Sequence, residues 1–143
     1  MQTKIIISRT DGIGDVLLSL PVAGVLKNLH PDYKIYFLGS SYTKPVIEAC
    51  KHVDEFINWT NNSVLPELEQ INAMCGLQAD AIIHVFPKQD IARLARKSGI
   101  SIRIGTYSRF YHLFNCNKLL NIHRKNSPFH EAQLNLKLLK PFG

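Results

Sequence analysis

Cysteine is scarce in this sequence, and no long apolar run is present. The three cysteines (Cys50, Cys75 and Cys116) are odd in number and show no Cys-x-x-Cys spacing, so neither a disulfide framework nor a zinc ribbon is implied. No apolar run reaches the ~18 residues that a membrane span needs. The apolar residues 5–7 are also too few for a secretory signal. We therefore expect a cytoplasmic protein.

Acidic residues are nearly missing from the second part of the chain. Residues 86–143 contain Asp90 and Glu131 beside eleven Lys and Arg, a net charge of +9, whereas residues 1–85 have a net charge of −3. The whole chain of 143 residues is 45% hydrophobic and 20% charged, as in one ordinary globular domain. The basic part predicts either attraction to anionic partners or a solvated surface.

Short β-branched runs alternate with helical patterns, which predicts an α/β fold: a Rossmann-like, doubly wound parallel sheet. We predict strands at 4–8, 34–38, 55–59, 81–86 and 102–104. We predict helices at 15–29, just after 43, at 64–75 with Asn62 or Ser63 as the cap, at 89–98 and at 131–140. Ligands bind beyond the carboxyl ends of parallel strands. The loops 9–14, 39–42, 87–88 and 105–109 should therefore share one rim.

One local conflict lies inside the first predicted helix. Pro21 removes the helical hydrogen bond to the carbonyl of Leu17, at a cost of about 3 kcal/mol if nothing compensates. Either the helix kinks there, or residues 15–18 form a separate turn and Ser19 caps the helix proper.

The first loop, RTDGIGD, joins the first strand to the first helix. Gly12 and Gly14 allow the backbone to adopt positive φ and to approach a ligand closely. The third glycine of a dinucleotide loop is missing at Leu17, and no Walker lysine follows. Asp15 would repel a pyrophosphate but could accept a proton from a hydroxyl. Asp15 is therefore a candidate general base, or a helix N-cap, and the two roles can coexist.

The run KIIISRTDGIGDVLLSLPVAGVLK, with GDVLLSLP at its centre, closely resembles the N-terminus of the ADP-heptose:lipopolysaccharide heptosyltransferases, glycosyltransferase family 9. The resemblance continues in order through YKIYFLGSSYTKPVIEA, DAIIHVFPKQDIARLARKSGISIRIGTYSRFYH and HEAQLNLKLL. It implies the GT-B fold, two Rossmann-like domains around a cleft, with inversion of the sugar and no metal or other cofactor. Residues 1–143 would then be the single N-terminal, acceptor-side domain, without the C-terminal donor-binding domain and inactive alone.

The same resemblance implies roles for particular residues. The aspartate of the Gly-Asp motif falls on Asp15, the expected catalytic base toward a Kdo or core-heptose hydroxyl of the lipopolysaccharide acceptor. The donor, ADP-heptose, would be held mainly by the C-terminal domain. Acceptor binding is expected from Arg9, Thr10, Gly12, Gly14, Lys88, Arg109, Arg124 and His130. A solvated surface charge is the simpler role for each basic side chain.

Other functions fit parts of the sequence. A non-enzymatic basic α/β module that binds anionic lipid or nucleic acid would use the +9 charge, but it leaves residues 12–15 unexplained. No nucleic-acid motif is present, so we expect no nucleic-acid partner. A third hypothesis is an isolated nucleotide-binding domain. It is weakened because the sequence lacks the third glycine of the loop and an acidic residue after Leu38. We also expect peripheral contact with the anionic inner face of the bacterial membrane.

Three further features are ambiguous in sequence. The aromatic segment 110–114 could sit in lipid headgroups or form a packed helix, which is the commoner use of such spacing. His112 and Cys116 have metal-ligand spacing but no third ligand. His84 lies in an apolar strand and is expected to be a buried histidine with hydrogen-bond partners.

Overall fold

The computed structural model describes residues 2–106, 110–120 and 131–142. The strands in these residues are β1 (Lys4–Ser8), β2 (Lys34–Gly39), β3 (Glu55–Asn58), β4 (Ala81–His84), β5 (Ile102–Thr106) and β6 (Lys118–Leu120). They pair in parallel in the order β3-β2-β1-β4-β5-β6. The predicted doubly wound, Rossmann-like α/β fold is confirmed, since this is the strand order of dinucleotide-binding sheets.

Helices cover both faces of the sheet. They are α1 (Ile13–Leu29), α2 (Lys44–Glu48), α3 (Trp59–Asn62), α4 (Glu67–Gly76), α5 (Gln89–Lys97), α6 (Phe110–Asn115) and α7 (Glu131–Leu136), with 3-10 turns at Ser41–Thr43 and Lys137–Phe142. One core joins α1, α2 and α7 to the sheet, and a second core joins α3, α4 and α5 to its other face. No helix in the described ranges is long and apolar enough to cross a membrane.

The middle of the central strand β1 is apolar, without alternating polar residues, because both faces of the strand are covered. Ile5 and Ile7 belong to the core on the α1 side, whereas Ile6 belongs to the core on the α5 side. All three are fully buried. A strand with helices on both faces has no solvent side, and each such buried side chain contributes about 1.5–3 kcal/mol of transfer free energy.

Two strands end earlier than predicted. The predicted strand 81–86 ends at His84, and both following backbone N–H groups, of Val85 and Phe86, donate to the Ser8 carbonyl at 3.1 Å. Val85 is still buried, so burial rather than strand pairing explains why this position is apolar. Trp59, predicted as the end of a strand, instead opens α3.

Helix α4 begins later than predicted, and its predicted caps are wrong. Asn62 ends α3, Ser63 lies in the connecting turn, and Pro66 is the N-cap residue of α4. Proline needs no hydrogen-bond partner for its nitrogen, which suits the start of a helix. The Gln70 amide holds the turn by donating to the Ser63 and Leu65 carbonyls at 3.2 and 2.9 Å.

The last part of the chain also departs from the prediction. The predicted helix 131–140 is α-helical only through Leu136 and then tightens into a 3-10 helix that contains Pro141. Strand β6, which has three residues, was not predicted.

Helix α1 runs unbroken through Pro21, so the alternative of a separate turn is wrong. Ser19 lies inside the helix and donates its hydroxyl to the Asp15 carbonyl at 3.0 Å. The fully buried Asn135 of α7 donates to the Leu18 carbonyl at 3.1 Å, next to the carbonyl that Pro21 leaves without its helical partner. The hydrogen bond from α7 therefore stabilises α1 near its proline.

The predicted helix at the aromatic segment is present as α6, which lies over the end of β5. His112 of α6 is fully buried, and its Nδ1 accepts the Thr106 backbone N–H at 3.1 Å. Phe114 of the same helix is 67% exposed, so this aromatic residue is outside the core. A Cβ at Gly105 would overlap the His112 ring and lie 2.7 Å from Cys116 Sγ. Glycine is therefore required where α6 crosses β5.

We predict that Gly105→Ala lowers the free energy of unfolding by about 1–3 kcal/mol, because the added methyl group overlaps the ring and the sulfur. Chemical denaturation measures the change. Gly76→Ala is the matched control, since its Cβ meets no heavy atom within 4 Å. Equal unfolding midpoints for Gly105→Ala and wild type would contradict this packing.

Candidate active site

Three loops meet at the carboxyl edge of the sheet, where the strand order reverses between β1 and β4. The backbone N–H of Arg9 donates to the Leu38 carbonyl at 3.1 Å, and the Ser40 hydroxyl donates to the Thr10 carbonyl at 2.7 Å. The Ser8 carbonyl fixes the loop after β4, as described above. The predicted shared rim is confirmed for loops 9–14, 39–42 and 87–88, whereas part of 105–109 lies outside the described residues. Such a reversal point leaves a crevice that binds ligands.

The amino end of α1 opens into this crevice. Its N-cap is Gly12, with φ −69° and ψ 163° and without a side-chain capping bond. Asp15 is the third helical residue, so the interpretation of Asp15 as the N-cap is wrong. Neither Gly12 nor Gly14 uses the positive φ that glycine allows, since Gly99 is the only described glycine with a positive φ. A Cβ at Gly14 would meet no heavy atom within 4 Å, so this turn is open on its outer side.

Arg9 links two carboxylates beneath the open turn. Its Nε donates to Asp11 Oδ1 at 2.8 Å and its NH2 group donates to Asp11 Oδ2 at 3.1 Å. The same NH2 group lies 3.5 Å from Asp15 Oδ1. The Arg9 side chain is 6% exposed and that of Asp15 is 52% exposed. The buried Arg9 guanidinium therefore binds the largely covered carboxylate of Asp11 and also contacts the accessible carboxylate of Asp15.

Partial burial raises the pKa of Asp11 above its ordinary value, and the negative charge of Asp15 adds to that rise. The Arg9 guanidinium acts in the opposite direction, but burial dominates. Two like charges around one cation disfavour full ionisation of both groups. Asp11 and Asp15 therefore act on each other as well as on Arg9.

The remaining predicted site residues are placed as follows. Thr10 is half-buried, and its carbonyl is held by Ser40, as described above. Lys88, also half-buried, immediately precedes α5 at the rim. Arg109, Arg124 and His130 lie outside the described residues. The structure thus brings Arg9, Thr10, Gly12, Gly14 and Asp15 together on one loop, with Lys88 on the neighbouring loop.

Two residues of the crevice were not singled out from sequence. Asp11 was assigned no role from the sequence, although its spacing of two residues from Arg9 could have indicated an ion pair. Tyr42 donates its hydroxyl to the Asp11 carbonyl at 3.1 Å and remains 59% exposed. A Cβ at Gly12 would lie 3.9 Å from that hydroxyl and 4.0 Å from Asp15 Oδ2, so Tyr42 flanks the open turn.

Part of the basic surface is neutralised. On α5, Lys97 contacts Glu67 of α4 at 2.8 Å, and Arg93 contacts the same carboxylate at 3.5 Å. Exposed ion pairs of this kind add little to stability, but they reduce the positive field of the helix. This pairing weakens the alternative of a general polyanion-binding module.

A buried polar group lies directly below the crevice. His84, the last residue of β4, is 1% exposed, and its ring lies 5.3 Å from that of His112, centroid to centroid. The expectation of burial is confirmed, but neither ring nitrogen of His84 has a hydrogen-bond partner among the described residues. No group of three or more His, Cys, Asp or Glu in the described ranges could hold a metal ion.

Burial lowers the pKa of His84 to about 3, and the nearby His112 and Arg103 add to that decrease. Between about pH 6.5 and 3 the unfolded chain therefore binds a proton at this position that the folded chain does not. We predict that stability falls as the pH decreases through this window, by up to about 1.4 kcal/mol per pH unit from this group.

Chemical denaturation of wild type and His84→Leu at several pH values measures this contribution. The pH slope should be smaller in His84→Leu than in wild type, whatever the absolute stability of the variant. Identical slopes for His84→Leu and wild type would overturn the assignment.

Known proteins resemble this chain over nearly its whole length. No protein-family model matches it. It is 28% identical over 140 residues to a Haemophilus influenzae protein that is provisionally named a glycosyltransferase, an alignment that covers 97% of this chain and 40% of that protein. The chain thus spans well under half the length of this curated relative.

Three solved structures share the fold. A family 9 glycosyl transferase from Veillonella parvula is 22% identical with a TM-score of 0.76, covering 99% of this chain and 41% of that one. The E. coli heptosyltransferase WaaC with ADP is 17% identical with a TM-score of 0.79, covering 99% and 48%. The E. coli ADP-heptose lps heptosyltransferase II is 14% identical with a TM-score of 0.76, covering 96% and 40%. At these identities the likeness establishes the fold.

Proposed function

We propose that this chain is the N-terminal, acceptor-side domain of an inverting glycosyltransferase that moves a heptose from ADP-heptose to the Kdo/heptose inner core of lipopolysaccharide. The observation that carries the proposal is Asp15. Its accessible carboxylate stands in the first turn of α1, at the crevice of a sheet whose fold is also found in heptosyltransferases. The donor-binding domain lies outside the residues of this chain.

In this proposal Asp15 acts as the general base. It accepts the proton of an acceptor hydroxyl while that oxygen forms a bond to the anomeric carbon of the donor heptose. The bond from this carbon to the terminal phosphate oxygen of ADP breaks, and its electron pair leaves with ADP. Attack from the face opposite to ADP inverts the sugar. One positioned base contributes about 10²–10⁴-fold in rate, and this displacement requires no metal or organic cofactor.

The acceptor of this reaction is anionic, since Kdo carries carboxylates and lipid A carries phosphates. In the proposal, Lys88 contacts these groups at the rim, together with Arg109, Arg124 and His130. The support is the net charge of +9 on residues 86–143. A glycolipid acceptor also implies a peripheral position on the anionic cytoplasmic face of the bacterial inner membrane.

The base assignment predicts that Asp15→Asn lowers kcat by about 10²-fold or more, in the protein that contains this chain together with its donor-binding domain. The amide keeps the shape of the side chain but cannot take the proton. Release of ADP from ADP-heptose with a Kdo-containing acceptor measures the rate, and thermal unfolding checks the fold. Asp32→Asn, a change at an exposed loop position, is the control. Turnover near that of wild type would refute the assignment.

The acceptor assignment predicts that Lys88→Ala raises the KM for the acceptor several-fold at low salt and leaves the KM for ADP-heptose unchanged. The difference should shrink as salt increases, because screening weakens an exposed ionic contact. Lys118→Ala removes a lysine at the amino end of β6, on the opposite edge of the sheet, and serves as the matched control. A selective loss of donor affinity in Lys88→Ala would place this residue in a different role.

A further inference from the structure

The three charged groups Arg9, Asp11 and Asp15 occupy one loop, but they differ in exposure. The Arg9 and Asp11 side chains are 6% and 19% exposed, whereas Asp15 is half exposed. The buried pair is joined by two hydrogen bonds, and one guanidinium nitrogen continues to Asp15 Oδ1. Arg9 therefore contacts both carboxylates, and Asp11 and Asp15 also interact with each other directly.

We infer that Asp11 is a positioning residue: it fixes the Arg9 guanidinium, which in turn holds Oδ1 of Asp15 and leaves Oδ2 to receive the substrate proton. This inference rests on the function proposed above. It places Arg9 beneath the loop, with a side chain that is 6% exposed, where the sequence implied an acceptor contact.

The geometry of the ion pair explains why a carboxylate is needed at position 11. A planar guanidinium matches the two oxygens of a carboxylate in a bidentate contact, which fixes orientation as well as position. A buried arginine without such a partner would be strongly destabilised. Hydrogen bonds also hold the backbone of this segment, because Tyr42 donates to the carbonyl of Asp11 and Ser40 to that of Thr10.

The groups around Asp11 determine what its replacement changes. Arg9 from its own loop and Asp15 from α1 are the charged groups that act on it, and the loop after β2 contributes the neutral hydroxyl of Tyr42. Removing the Asp11 carboxylate takes away both hydrogen bonds that orient the guanidinium. Arg9 then contacts Asp15 from a less fixed position, so the base is less well oriented.

Asp11→Asn tests this inference in the protein that contains both domains. We expect kcat to fall about tenfold and the KM for ADP-heptose to stay unchanged. Asp11→Glu, which keeps the carboxylate, should recover most of the lost kcat. Arg9→Lys should lose activity to a similar extent as Asp11→Asn, and the double variant little more, because the two residues act in series. Asp32→Asn is again the control.

A measurement that does not depend on turnover covers variants with poor activity. A crystal structure of Asp11→Asn should show the Arg9 guanidinium displaced from Asp15 Oδ1, which it contacts at 3.5 Å in the wild type. Unchanged kcat together with an unchanged Arg9–Asp15 contact in folded Asp11→Asn would overturn the inference. If Asp15→Asn retains full turnover, the assignment of Asp15 as the base is wrong. If Asp15→Asn loses activity but Asp11→Asn keeps wild-type kcat, only the positioning role of Asp11 is rejected.

Discussion

A buried positive charge sets the shape of the crevice. The Arg9 side chain lies under the first loop, where it is almost completely removed from water, and such a charge is tolerated only when it is paired. Asp11 supplies the pair through two hydrogen bonds, although it is only two residues from Arg9 in sequence. Gly12 follows directly as the N-cap of α1. The Asp15 carboxylate lies in the first turn of this helix, 52% exposed and 3.5 Å from the same guanidinium.

The sheet could be predicted from the sequence because its central strands are buried on both faces and read as uninterrupted β-branched runs, as at Ile5, Ile6 and Ile7. The ends of the strands were harder to predict. Val85 is as apolar as a strand residue but lies beyond the end of β4, and β6 consists of only three residues. The start of α4 depends on Pro66 and on the side chain of Gln70, which local pattern alone does not indicate.

The candidate site was predictable in position but not in its internal contacts. Asp15 and the glycines could be placed at the carboxyl edge because parallel strands bring their following loops together. The role of Arg9 could not be predicted, since charge alone does not distinguish a solvent-facing arginine from one turned inward onto Asp11. The same limit applies to His84: the sequence indicates its burial, whereas the lack of partners among the described residues depends on what packs around it.

The most direct test of the proposed chemistry is a structure of the protein that contains this chain, in complex with a non-transferable ADP-heptose analogue and a Kdo-containing acceptor. The attacking hydroxyl should lie about 2.6–3.2 Å from Asp15 Oδ2, with the anomeric carbon on its far side and Asp15 Oδ1 still directed at Arg9. An acceptor bound away from the carboxyl edge of the sheet, or a hydroxyl directed at another base, would contradict the proposed role of this domain.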